Sequence, residues 1–318
     1  MSDTQTAQPA GRGLVTETIA VLGAGGTMGF PMARNIARAG LPTRVWNRSG
    51  DKVRPLASDG AYLARTPRDA ASGAGIVITM LSDEEAVVQS MDGPDGALRA
   101  MSGAHQGNGT PAGGPPHALW VQMSTIGEAA TRRCAKLANR AGVGFVDAPV
   151  LGTRQPAEEG KLVVLESGPE EARPRLVPVF DAIGQRTIHV GEVGAGSRLK
   201  VVVNCWVLAV VEVGAETIAL AEGLDLDSGL FFKAVEGGTL DLPYLRIKAK
   251  AMTERDFTPS FRLALAARDA GLARRAAEEH NLDLPLVEAI ARRFAEAATE
   301  HGDKDISATY LASTPRRA

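Results

Sequence analysis

The 318-residue chain is long enough for two ordinary domains, and 44% apolar against 23% charged residues supplies material for packed cores, which excludes a disordered chain. A formal net charge of −2 leaves no basic surface broad enough to hold a nucleic-acid backbone, and there is no acidic tail for a solvating role. A small-molecule partner fits this balance.

Residues 1–16 are polar, small and punctuated by Gly and Pro, without the apolar core of a secretory signal, so a disordered tail and a cytoplasmic location are expected. From there, short apolar runs at 19–22, 44–46, 76–80, 119–123 and 144–146 read as buried strands, and 30–39, 84–88 and 127–141 read as helices between them. Regular alternation predicts an α/β domain over 17–193, a Rossmann-type doubly wound parallel sheet, because each parallel crossover needs a connecting element of about a dozen residues. Residues 102–117, rich in Gly and Pro, are expected to form a solvent loop. The two cysteines, Cys134 and Cys205, lack the paired spacing of a zinc site or redox dithiol and are expected to be buried thiols; no metal is implied.

After Gly194 the pattern turns wholly helical, with segments 199–222, 227–237, 261–279 and 285–301, and predicts an all-α domain over 194–313. Its longest apolar run, 201–211, is too short to cross a bilayer and is followed by Glu212 and Glu216, so no membrane partner is expected. Val202, Val203, Trp206, Val207, Val210 and their neighbours encircle this helix, and a helix apolar all round must be enclosed all round. A second subunit is expected to supply part of the cover, as a homodimer or higher homo-oligomer. The alternative is the central helix of a monomeric bundle.

The first strand runs into Gly23-Ala24-Gly25-Gly26-Thr27-Met28-Gly29 and then a helix. Glycines at such a turn let a pyrophosphate approach the N–H groups at the helix start, so dinucleotide binding is expected. Gly29 follows Gly25 by four residues rather than three, one more than the usual fingerprint. The second strand ends in Asn47-Arg48-Ser49, where an NAD-specific domain places a carboxylate on the adenosine ribose. Arg48 offers a charge-assisted fork to a 2′-phosphate, with Asn47 and Ser49 as neutral partners, so NADP(H) is the expected cofactor; the alternative is an ordinary surface charge.

Lys200 and Asn204 stand four apart at the start of the most apolar helix and so share a face. Alone, this pattern fits a snorkelling surface lysine as well as a catalytic one. A partly desolvated ammonium has the lowered pKa needed to protonate a carbonyl oxygen while hydride reaches its carbon.

These segments, with Met80-Leu81-Ser82-Asp83, Ser124-Thr125-Ile126, Asp147-Ala148-Pro149-Val150, and Phe261 with Asp269, occur in an order that resembles the β-hydroxyacid dehydrogenase family. That family includes 3-hydroxyisobutyrate dehydrogenases and glyoxylate/succinic semialdehyde reductases, and the stretch from Gly152 through Pro156-Ala157-Glu158 is similar to the latter branch. The resemblance implies a helical domain like the C-terminal part of 6-phosphogluconate dehydrogenase and a small carbonyl or β-hydroxy acid substrate. It implies Lys200 as general acid and base with Asn204 as its partner. Ser124 and the backbone around Gly152, with Leu151 and Thr153, would cradle the substrate carboxylate, and Phe261 and Asp269 would close the pocket. Gly23, Gly25, Gly26, Thr27, Met28, Leu81, Ser82 and Arg268 would join Asn47, Arg48 and Ser49 around the cofactor. An N-cap is the alternative role for Ser124.

Two positions depart from the family: Leu151 replaces a serine, and Arg268 replaces a lysine. Loss of a hydroxyl beside the cradle predicts a substrate larger or less charged than glyoxylate. Two rivals share the two-domain plan: an imine reductase, against which Lys200 with Asn204 argues, and a non-catalytic NADPH-binding module.

Overall fold

The computed structural model describes residues 17–103 and 118–313. The expected tail at 1–16, and the loop over 104–117, lie outside the described residues. Ser102 and Gly103, assigned to that loop, instead end a helix.

The first domain contains β1 (Ile19–Leu22), α1 (Gly29–Arg38), β2 (Thr43–Trp46), β3 (Tyr62–Leu63), α2 (Pro67–Ala71), β4 (Ile76–Thr79), α3 (Glu84–Asp92) and α4 (Leu98–Gly103). It continues through β5 (Leu119–Gln122), α5 (Glu128–Arg140), β6 (Gly144–Asp147), β7 (Val150–Leu151), α6 (Arg154–Glu158), β8 (Leu162–Ser167), α7 (Arg173–Ile183) and β9 (Gly184–Gly191). Strand order is β3-β2-β1-β4-β5-β6-β8-β7, with β9 on β8.

Continuous apolar runs form strands here because both faces are covered. In β1, Ile19 and Val21 join the core beneath α1 and α7, whereas Ala20 and Leu22 join the core that includes residues of α2, α3 and α5. β4 divides likewise, Ile76 and Ile78 to one side and Val77 to the other. From β3 to β6 every pairing is parallel. Beyond β6 the sheet departs from the expected all-parallel form, since β8 pairs antiparallel with both β6 and β7 before β9 returns parallel to it. Cys134 is buried, while Cys205 is only half-buried, short of the expected burial.

The helical domain opens with α8 (Ala195–Gly223), followed by α9 (Gly229–Val235), α10 (Pro243–Thr253), α11 (Leu263–Glu279), α12 (Pro285–His301) and α13 (Tyr310–Ser313). Leu208, Val211, Ala215 and Ile218, spaced by three and four residues, turn one face of α8 into a core shared with Ala249, Ala266, Phe294 and Tyr310. By length and composition α8 reaches what a membrane span requires, more than its 201–211 run indicated; in this fold its buried face belongs to the helical core. The opposite face carries Val202, Trp206, Val213 and Leu220, each more than half exposed.

The start of α8 is seated on the ends of β6 and β8. Asp147 accepts hydrogen bonds from the Ser197 amide and hydroxyl, both at 2.7 Å, and from Ser167 Oγ at 3.2 Å. The Gly196 amide donates to Ser167 Oγ at 2.9 Å, and a Cβ at Gly196 would fall 2.3 Å from the Leu165 carbonyl oxygen. Gly196→Ala is therefore expected to destabilise the fold by about 1–3 kcal/mol through backbone displacement at this joint. Denaturant unfolding checks it, and an unchanged midpoint contradicts so close an approach.

Candidate active site

β1 delivers the glycine turn to the edge of a cleft between the domains. Gly23 adopts φ of 92°, and its amide and that of Ala24 both donate to the Trp46 carbonyl at 2.9 and 3.1 Å. A Cβ at Gly23 would lie 2.2 Å from the Met80 carbonyl oxygen, and one at Gly29 would lie 2.2 Å from that of Gly23. The additional residue is taken up as a tight turn. Gly26 N donates to Gly23 O, and Phe30 N donates to Gly26 O, both at 3.0 Å, so the helical path begins before α1 proper. The Thr27 and Met28 amides have no hydrogen-bond partner among the described residues and belong to residues that line the cleft. This cradle fits a dinucleotide pyrophosphate.

Asn47 braces the turn: its Oδ1 accepts from Gly25 N at 3.3 Å, and its Nδ2 donates to Ser49 O at 3.0 Å. Arg48 and Ser49 are exposed beside it, and Arg48 makes no hydrogen bond or ion pair among the described residues. Leu81 and Ser82 line the cleft at the end of β4. Leu81 N donates to Ser124 Oγ at 2.9 Å, and that hydroxyl donates onward to Thr79 O at 3.2 Å.

Ser124 thereby departs from its expected place at the substrate. It is fully buried, does not line the cleft and has its hydroxyl spent on β4; it is not an N-cap either, since Gly127 precedes α5. Gln122, which the sequence did not single out, holds it there, accepting from Ser124 N at 2.7 Å and donating to Ser124 O at 2.7 Å.

The facing wall comes from β7 and the helical domain. Within a cleft of about 570 Å³, Leu151, Gly152 and Thr153 face Lys200, Asn204, Phe261 and Asp269. Gly152 has φ of 125° and a Cβ there would meet the Leu162 side chain at 2.7 Å, so the loop turns sharply enough to bring Val150 under α8. Lys200 Nζ donates to the Val150 carbonyl at 2.8 Å. Burial lowers its pKa to about 8, against the opposing pull of the Asp269 carboxylate and with a further push from Arg268. The ammonium thus lies within the cleft and not in bulk water.

Asp269 is the hub of this wall. Its Oδ2 accepts from Asn204 Nδ2 at 2.8 Å, and its Oδ1 takes a two-pronged contact from Arg268 at 3.0 and 2.6 Å. Burial raises its pKa, while Arg268, Lys200 and Asn204 draw it down. Arg268 also donates through Nη1 to the Ser82 carbonyl, which ties α11 to the opposite domain. Val203, Val207, Tyr244, Arg262 and Leu265 complete the lining. Val203 and Val207, expected only as covering of the helix, line the cleft because their spacing from Lys200 places them on its face.

Family models cover both parts of the chain: the NAD binding domain of 6-phosphogluconate dehydrogenase matches residues 18–191, and the NAD-binding domain of NADP-dependent 3-hydroxyisobutyrate dehydrogenase matches 194–312. The chain belongs to the β-hydroxyacid dehydrogenase family. It is 31% identical over 314 residues to glyoxylate/succinic semialdehyde reductase 2 of Arabidopsis thaliana, covering 98% of this chain and 84% of that one. NAD-dependent L-serine dehydrogenase of Pseudomonas aeruginosa is 33% identical over 269 residues, 82% of this chain and 86% of the relative. Among solved structures, Mycobacterium tuberculosis 3-hydroxyisobutyrate dehydrogenase with L-serine superposes with a TM-score of 0.80 at 30% identity, over 94% of this chain and 99% of the other. This β-hydroxyacid dehydrogenase is accordingly an oxidoreductase that uses a nicotinamide cofactor.

Removing the negative charge at Asp269 disfavours the ammonium beside it. Asp269→Asn is expected to move the Lys200 pKa below its present value of about 8. Titration of the amine by NMR or by pH-dependent acylation reads the shift, and an upward movement contradicts the stated electrostatics.

Proposed function

We propose that the protein is an NADP(H)-preferring carbonyl reductase and β-hydroxy acid dehydrogenase, with Lys200 as proton donor and acceptor. The observation that carries this reading is the Lys200 ammonium itself, desolvated in the cleft, anchored on Val150 and facing a site across from the glycine turn. When bound, the reduced nicotinamide supplies the hydride to the carbonyl carbon. As the carbonyl π-electron pair moves onto oxygen, Lys200 Nζ gives that oxygen a proton and becomes a neutral amine, which solvent reprotonates. In the reverse direction the neutral amine takes the hydroxyl proton. Asn204 and Asp269 hold the Lys200 face of α8 against α11, and Phe261 and Leu151 exclude water from the reacting centre.

Relatives carry both cofactor names, so the preference rests on this chain's own residues. No carboxylate stands at 47–49, directly after β2, and Arg48 is exposed there, free of any hydrogen bond or ion pair among the described residues and available to a 2′-phosphate. The apolar lining contributed by Leu151, Val203, Val207 and Leu265 favours a substrate with a hydrocarbon body over the smallest keto acids. The exposed stripe Val202, Trp206, Val213 and Leu220 supports a homodimer formed through α8, with water excluded from that face by a second copy.

Lys200→Ala is expected to lower carbonyl reduction by about 10²–10⁴-fold while leaving the Kd for NADPH unchanged. Because the ammonium is the donor, kcat/KM for reduction should be level below a pH of about 8 and fall above it, and oxidation should rise through the same pH. Steady-state assays with aldehydes, keto acids and cyclic imines check both; near-normal turnover of the variant removes Lys200 from this role, and imine turnover alone transfers the protein to the reductases of that class. Arg48→Ala is expected to weaken NADPH by at least about tenfold and NADH little, as loss of a charge-assisted phosphate contact requires. Equal losses by calorimetry contradict a 2′-phosphate clamp.

A further inference from the structure

Directly behind the substrate wall lies an ion pair that takes no part in the proposed proton transfer. Lys248 of α10 and Asp305 are only 3% and 2% exposed, and their Nζ and Oδ1 are 2.8 Å apart. Asp305 Oδ1 also accepts from Ser307 N at 3.1 Å and Ser307 Oγ at 3.0 Å. Its Oδ2 accepts from Ser260 N and Ser260 Oγ, both at 2.9 Å, and from Phe261 N at 3.1 Å. Lys248 Nζ donates to Ser260 Oγ as well, at 2.9 Å, and lies 5.6 Å from the centre of the Tyr244 ring. Tyr244, Ser260 and Phe261 all line the cleft, whereas Lys248, Asp305 and Ser307 do not.

Two buried charges are a costly way to fill a core, because well-packed apolar residues of similar volume commonly hold a fold as well or better. What the pair provides is direction. One carboxylate fixes two successive amides, Ser260 and Phe261, in a segment without regular structure, and one ammonium binds that segment to the helix bearing Tyr244. The neighbouring backbone is tied in the same manner, with Ile306 N donating to Phe261 O at 2.7 Å and Asp305 N to Phe257 O at 2.9 Å. α9, just before α10, has no fully buried residue and packs on the helical core only through partly buried side chains such as Phe232, whereas α10 buries Lys248, Ala249 and Met252.

We propose that Lys248 and Asp305 are positioning residues that set the Tyr244–Phe261 wall of the cleft and thereby its fit to the carbonyl substrate. This inference rests on the reading that the substrate binds in that cleft. Burial pushes the Asp305 carboxyl upward, but the Lys248 charge and the surrounding donors outweigh it and hold it at about 2, so the carboxylate stays ionised across the working range of pH.

The test compares Lys248→Met, Asp305→Asn, the two combined, and Lys248→Arg, in thermal unfolding, NADPH binding and steady-state turnover. The single neutral variants leave a lone buried charge or an unmatched donor and should lose stability, and the double variant should regain much of it. The double variant is nevertheless expected to show KM for the carbonyl substrate raised by about tenfold, with kcat and the Kd for NADPH within about threefold of the parent, since a displaced wall weakens fit more than chemistry. Lys248→Arg should recover most of the KM. A double variant with parental KM and recovered stability overturns the proposal, because the pair would then be filling space. Should the double variant not fold, Ser307→Ala removes one hydrogen bond behind the wall, and an unchanged KM there also counts against it. If the parent itself turns over no carbonyl compound, the hydride-transfer reading fails; hydrogen exchange at Ser260 and Phe261 in Ser307→Ala then decides the positioning role, with faster exchange supporting it and parental exchange overturning it.

Discussion

Everything at the cleft depends on how the first turn of α8 is held against the sheet. The Asp147 carboxylate, at the end of β6, takes the amide and hydroxyl of Ser197 and thereby supplies from a distant strand the cap that the helix lacks locally. Thr131 and Ser167 close the arrangement, at 2.9 Å to Ser197 Oγ and to Gly196 N respectively. Burial pushes the Asp147 carboxyl up to about 6 in spite of these hydrogen bonds. Its ionised form therefore costs the fold stability above that pH, and the cost is relieved as pH falls toward the ordinary aspartate range. Lys200 lies three residues beyond Ser197, so its place over Val150 follows from the same anchor.

Electrostatics in the cleft are a balance among few groups. Burial depresses the Lys200 ammonium, Asp269 supports it, and Arg268 both neutralises Asp269 and repels the amine. An isolated buried lysine would lose its proton too readily to act as a donor, and one fully paired with a carboxylate would hold it too firmly. Sharing Asp269 among Arg268, Asn204 and Lys200 gives the intermediate case.

Much of this was legible in the sequence because its signals are local. Uninterrupted apolar runs mark strands covered on both faces, and the glycine turn announces itself through contacts no side chain allows, as at Gly23 and Gly29. Lys200 and Asn204 could be paired by helical spacing alone. What escaped was non-local. β7 and β9 are short or half-exposed and form through pairing with β8, while α10 has basic residues between its apolar ones and buries Lys248 itself. The partners of Ser124 are not legible either, because a serine at a strand end looks the same whether its hydroxyl faces a ligand or the next strand, and the contacts with Gln122 and Leu81 are non-local or unmarked.

Arg268 joins the two walls: it pairs with Asp269 on its own helix and reaches the Ser82 carbonyl across the gap. The first partner travels with α11, whereas the second belongs to the other domain. Separating the two walls at this point means breaking the cross-gap bond while leaving the same-helix pair intact. The charges that set the Lys200 ammonium therefore stay together on the helical wall whatever the width of the gap.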